Sequence, residues 1–134
     1  MEMKKNIYDT EYVNLSLEGE ILVITYKKGP ITLDIAKDLV EKRHAFSNGK
    51  SYLFLACDEG VGIGGIERDA REYMGKGKST EGIIASAFYT KSAFNKHIIN
   101  FFLRISSRSQ KFPVKVFSDQ NEARKWLESF DKNQ

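Results

Sequence analysis

Between Cys57 and Arg71 the chain gathers a thiol, two adjacent acids (Asp58, Glu59), the glycines Gly60, Gly62, Gly64 and Gly65, and then Glu67, Arg68 and Arg71. Gly60, Gly62 and Gly65 fit the spacing GxGxxG, which cradles a dinucleotide pyrophosphate when it follows a strand and opens a helix. The context is right, but the chain has room for little more than one nucleotide-binding half. The next strand also ends in Tyr89-Thr90, not in an acid for a ribose. We therefore read the glycines as a tight corner built on positive φ angles and expect no cofactor. Free N–H groups at a helix start would still favour an anion there.

Asp58 and Glu59 fall at the carboxyl end of an apolar strand, where ligands of open α/β sheets sit. Acid–base catalysis would need a nucleophile or metal beside them, and the sequence offers neither, so a solvated acidic corner is expected. Cys57 precedes a helix start, which can lower a thiol pKa. It also ends an apolar strand, and we expect a buried, inert thiol. His44 and His97 sit on separate helical stretches among polar neighbours and make no zinc spacing with the single cysteine. They are expected at the surface, with no metal. Arg104, Arg108, Lys111 and Lys115 form a basic group around the last loop, read as a solvated face. No catalytic set emerges, and no enzyme is expected.

The elements that must position this corner follow from periodicity. Tyr12–Leu17 alternates as a half-buried strand, and Ile21–Tyr26 (ILVITY) is a more buried one. The Glu18-Gly19-Glu20 turn makes them an antiparallel hairpin. After Gly29-Pro30, Thr32 caps a helix with Asp34 in its first turn, an apolar stripe of Ile35, Ala36, Leu39, Val40 and Phe46, and a stop at Asn48-Gly49. Ser51–Cys57 (SYLFLAC) is a central strand. Ile66, Ala70, Tyr73 and Met74 stripe a short helix. Ile83–Tyr89 is another strand, whose small Ala85, Ser86 and Ala87 let a helix approach closely. A helix over 92–105 follows, capped by Ser92 and apolar around most of its girth. Two readings stand for it: burial on two sides, or an exposed apolar patch for a partner or a second copy. Pro113–Phe117 is a short strand, and Ser118 or Asp119 caps a last helix striped by Ala123, Trp126, Leu127 and Phe130, with Asp119 and Glu122 at a capping-box spacing. Strands alternating with helices imply parallel pairing and right-handed crossovers. The expectation is an α/β fold, a mixed five-stranded sheet with four helices.

Composition sets the limits. The 134 residues suffice for one domain and one core. The net charge of +3 is too mild for a dedicated nucleic-acid binder. No apolar run reaches the ~20 residues of a membrane span. The N-terminal stretch lacks the apolar segment of a secretory signal, and one cysteine permits no internal disulfide. A cytoplasmic location is expected.

The last 45 or so residues carry a resemblance, on Ala87-Phe88-Tyr89-Thr90, Asn100-Phe101-Phe102-Leu103, Pro113-Val114-Lys115-Val116-Phe117-Ser118-Asp119 and Glu122-Ala123-Arg124-Lys125-Trp126-Leu127. With the element order, this stretch resembles the STAS domain of anti-sigma-factor antagonists, the SpoIIAA-like superfamily, and more closely small bacterial STAS/Sec14-type proteins. The resemblance implies a single SpoIIAA-like domain over residues 11–131 after a flexible stretch over 1–10. It implies a non-enzymatic regulatory domain with a protein partner, such as a kinase-like regulator. Antagonist-type members are phosphorylated on a serine at the start of the second helix, whereas residues 58–66 here (DEGVGIGGI) hold no serine or threonine. What carries over is docking without that switch, on Asp58, Glu59, Gly60, Gly62, Gly64, Gly65, Glu67, Arg68 and Arg71. Sec14-type relatives imply an alternative, a carrier of a lipid or acyl ligand, with Ile99, Phe102 and Leu103 as its ligand face or as a homodimer face.

Overall fold

The computed structural model describes residues 4–61, 65–75, 77–92, 96 and 112–130. Among them, six strands form one sheet in chain order: β1 (Lys4–Asp9), β2 (Val13–Glu18), β3 (Ile21–Tyr26), β4 (Tyr52–Asp58), β5 (Ile83–Thr90) and β6 (Val114–Phe117). β1, β2 and β3 pair antiparallel, and β3 to β6 pair parallel. The described helices are α1 (Leu33–Ser47), α2 (Arg68–Met74) and α3 (Gln120–Glu128), with a 3₁₀ turn at Gly77–Thr80.

The α/β class and the mixed sheet agree with the sequence reading, but the strand count does not. The sixth strand is β1, inside the stretch expected to be loose. It is an edge strand whose Lys4, Lys5 and Asn6 stay exposed, with only Ile7 and Tyr8 half-buried, and a bulge interrupts its pairing between Asn6 and Tyr8. Its two apolar residues are adjacent across the bulge, so no apolar alternation announces the strand, and its lysines discourage edge-to-edge pairing. The helix expected over 92–105 lies outside the described residues except at its start, where the Lys96 N–H donates to the Ser92 carbonyl at 2.9 Å.

β4 explains why the sheet has two dry faces. Its residues Tyr52 to Cys57 are all buried, and strand side chains alternate. Leu53, Leu55 and Cys57 join Ile21, Val23, Ala85, Ala87 and Phe117 under Ala123 and Leu127 of α3. Ala85, Ala87 and Ala123 are each 0% exposed, so the small residues of β5 do bring α3 close. Tyr52, Phe54 and Ala56 face the other way, into a cluster with Leu22, Ile24, Tyr26 and Leu39, where Met74 of α2 also packs.

The helix ends follow their caps. Thr32 Oγ1 accepts from the Ile35 N–H at 3.3 Å, and Asn48 closes α1 at φ 48°. The buried stripe of α1 is Ala36, Leu39, Val40 and Arg43, a run of i, i+3, i+4 and i+7 that excludes Phe46. Phe46, expected in the core, is 37% exposed, and the Lys5 ammonium stands 6.0 Å from its ring. At the start of α3, Asp119 Oδ1 accepts from the N–H groups of Asn121 and Glu122 at 2.7 and 3.2 Å. Trp126 meets Phe117 and Phe130 at ring separations of 5.7 and 4.9 Å, while Arg124 reaches β2 in a half-buried ion pair with Glu18 at 3.2 Å.

Candidate docking corner

The parallel register places Tyr26, Asp58 and Thr90 side by side across β3, β4 and β5. Asp58 ends β4 and ties the chain that follows. Its Oδ1 accepts from the N–H groups of Gly60 at 3.0 Å and Val61 at 2.8 Å, and Thr90 Oγ1 donates to its Oδ2 at 3.5 Å. The Glu59 N–H donates to the Tyr26 carbonyl at 3.0 Å. Gly60 sits at φ +113°, where an L side chain is strained. The Asp58 carboxylate is thus committed to holding backbone, a use the pair of adjacent acids does not reveal.

A second fastening comes from the loop before α1. The Ile31 N–H donates to the Gly65 carbonyl at 2.7 Å, and the Glu67 N–H returns to the Ile31 carbonyl at 3.0 Å, so Ile31 and Ile66 form a parallel bridge. Ile66 was expected on the helix; the bridge takes it out, and α2 starts at Arg68. Val61 fills the space between the two loops. A Cβ on Gly65 would lie 2.6 Å from Val61 Cγ1, and one on Gly29 would lie 3.1 Å from the Gly65 carbonyl oxygen. Gly65 is therefore required by close approach.

The remaining residues expected at the corner divide in two. Arg71 turns inward, its Nη1 donating to the Ile66 carbonyl at 2.6 Å. Glu59, Glu67 and Arg68 are exposed, and Arg68 Nε pairs along the helix with Glu72 at 3.2 Å. α2 buries only Ala70 fully, which leaves its charged side outward. Gly62 and Gly64, and the apolar trio Ile99, Phe102 and Leu103, lie outside the described residues, as does His97.

An open cleft of about 450 Å³ lies beside the corner. Asp58, Glu59 and Gly60 form one wall, Tyr89 to Ser92 another, and Gln120 of α3 closes it. The hydroxyl residues of this wall escaped the sequence reading. Their signal was register: parallel strands of similar length bring Tyr89-Thr90 level with Cys57-Asp58.

The other chemical candidates are settled by burial. Cys57 is 4% exposed, and burial pushes its thiol up to about 12, the opposite of activation. His44 is half-buried, not a free surface residue, and burial together with the charge of Arg43 holds its imidazole below the usual range. Among the described residues no group of acids, histidines or cysteine is arranged to hold a metal, and no helix is long and apolar enough to cross a membrane.

A family model described as a domain of unknown function (DUF7793) matches residues 15–131, from β2 to the end of α3 and just beyond. No curated protein and no solved structure matches the chain.

Proposed function

The chain belongs to the DUF7793 family, a domain of unknown function, and we propose that it is a regulatory protein-interaction domain of STAS type that works without the serine phosphorylation switch. A cytoplasmic setting and a kinase-like regulatory partner go with this reading. The observation that carries it is the division of labour at the corner. Asp58, Gly65 and Arg71 fasten the loop from within, while Glu59, Glu67 and Arg68 stand outward on a backbone that is already held. Side chains on backbone that is already held lose little conformational entropy on docking, which favours binding over the same charges on slack backbone.

Charge reversal tests it. The triple variant Glu59→Lys, Glu67→Lys, Arg68→Glu changes only exposed groups, so its unfolding midpoint should match that of the native chain. Quantitative affinity capture from the source cells should then lose a specific protein from the native set. An unchanged captured set with a folded variant would reject this surface.

A further inference from the structure

The cleft beside the corner lies where the chain leaves the sheet in opposite directions. From β4 it passes into α2 on one face, where Met74 packs with Tyr26 and Phe54. From β6 it passes into α3 on the other, where Ala123 and Leu127 pack with Leu55 and Ala87. The carboxyl end of β5 falls between the two departures. Crevices of this kind, at the carboxyl ends of parallel strands where the connections change sides, are where open α/β sheets bind ligands. At about 450 Å³, this one lies within the range of small-molecule sites, roughly 300–1,000 Å³.

The lining argues against a simple anion. Backbone donors beside the cleft are already used by the chain's own carboxylates. Asp58 Oδ1 takes the N–H groups of Gly60 and Val61, and Asp119 Oδ1 takes those of Asn121 and Glu122 at the start of α3. The Ser92 N–H donates to Thr90 Oγ1 at 3.3 Å. Recognition therefore falls to side chains, and these carry both signs. Glu59 stands exposed on one wall and Lys91 exposed on the other. They do not pair with each other, and neither forms an ion pair elsewhere among the described residues. Asp58 adds negative charge beside Glu59. Gln120 brings an amide to the end of the cleft, its Oε1 accepting from Arg124 Nη2 at 3.5 Å.

We propose that this cleft binds a small zwitterion, an amino acid, with its ammonium on the wall of Asp58 and Glu59 and its carboxylate on Lys91 and the Gln120 amide. A ligand with both charges suits both walls at once. A simple anion that reaches Lys91 faces the two acids across the cleft, and a simple cation that reaches the acids faces Lys91. Phosphate is disfavoured more strongly, because it brings a second negative charge toward Asp58 and Glu59. The site adds a small ligand to the docking reading and does not rest on it, since binding is measured on the purified chain with no partner present.

The test follows thermal unfolding of the full chain with increasing glycine, β-alanine, 4-aminobutyrate or L-leucine, which vary the charge separation and the side chain. Sodium acetate and methylammonium chloride are the single-charge probes, at matched ionic strength. Trimethylglycine carries the charges of glycine without its N–H donors. At least one amino acid should raise the midpoint saturably, by about 4–6 °C at about ten times its half-saturating concentration, while the three control solutes give no saturable rise. Glu59→Gln and Lys91→Met change exposed side chains, so each should keep the native midpoint in buffer and lose the response. A rise that is only linear in concentration, as solute exclusion produces, would overturn the site. So would an equal response to acetate, methylammonium or trimethylglycine, or a full response in either variant.

Discussion

Thr90 Oγ1 donates to Asp58 Oδ2 across the ends of two neighbouring parallel strands, 3.5 Å apart, while the other oxygen of Asp58 holds two N–H groups of the glycine corner. One carboxylate therefore joins the sheet to the loop that follows it.

Replacing Asp58 with alanine leaves the Gly60 and Val61 N–H groups without that acceptor. A loss of about 1–3 kcal/mol is expected, read as a lower urea midpoint. Asp58→Asn keeps an oxygen for the same two donors and should lose less.

Gly65→Ala places a methyl group 2.6 Å from Val61 Cγ1. Overpacking of this kind costs about 1–3 kcal/mol. Trimming the neighbour with Val61→Ala should recover part of it, so the double variant should be more stable than the two single changes predict when added. Strict additivity in a double-mutant cycle would mean that the two loops do not press on each other here.

Burial sets the alkaline limit of the fold. The Cys57 thiol rises from its ordinary 9.0 to about 12 and the Tyr26 phenol from 10.0 to about 12, both chiefly through loss of water. Each group is held in its neutral form, so the stabilisation is whole below the unfolded value, about 9 for the thiol. It is lost as pH rises toward 12, because the unfolded chain releases the protons first. Urea midpoints should be flat around neutrality and fall through that range, and Cys57→Ala should make the fall shallower. In the folded chain the thiol should resist alkylation at mildly alkaline pH and react once denatured.

Arg124 and Glu18 link α3 to the antiparallel half of the sheet with side chains 22% and 24% exposed. Partial burial places the pair above an ordinary surface ion pair, and a coupling of about 1 kcal/mol is expected from a cycle of Arg124→Met and Glu18→Gln. Added salt should weaken it only slightly, because the pair is partly shielded from solvent.

The well-read parts of the chain were those where one physical signal dominated. Apolar continuity identified β3 and β4, Thr32 and Asp119 marked helix starts through hydrogen bonds their short side chains make, and Asn48 marked a helix end through its left-handed backbone. β1 was missed because its apolar residues, Ile7 and Tyr8, are adjacent across a bulge and show no alternation. Arg43 was missed because helical spacing was counted on apolar letters alone; the i+7 place after Ala36 belongs to a cation that aromatic rings accept as core. At the corner, the residue types were legible but their roles were not. Asp58 and Arg71 read as surface charges, yet each spends polar atoms on nearby backbone, Asp58 on Gly60 and Val61 and Arg71 on Ile66, in turns that residue type alone does not specify.

Every strand in this sheet lies beside the strand that precedes it in the chain. No strand has to wait for a distant segment before it can pair, so the sheet can lengthen as the polypeptide leaves the ribosome, each new strand finding its template already laid down. Among the described elements α3 comes last, and it covers strands made well before it. Synthesis halted before Gln120 would leave Leu53, Leu55, Ala85 and Ala87 without the Ala123 and Leu127 side chains that pack on them.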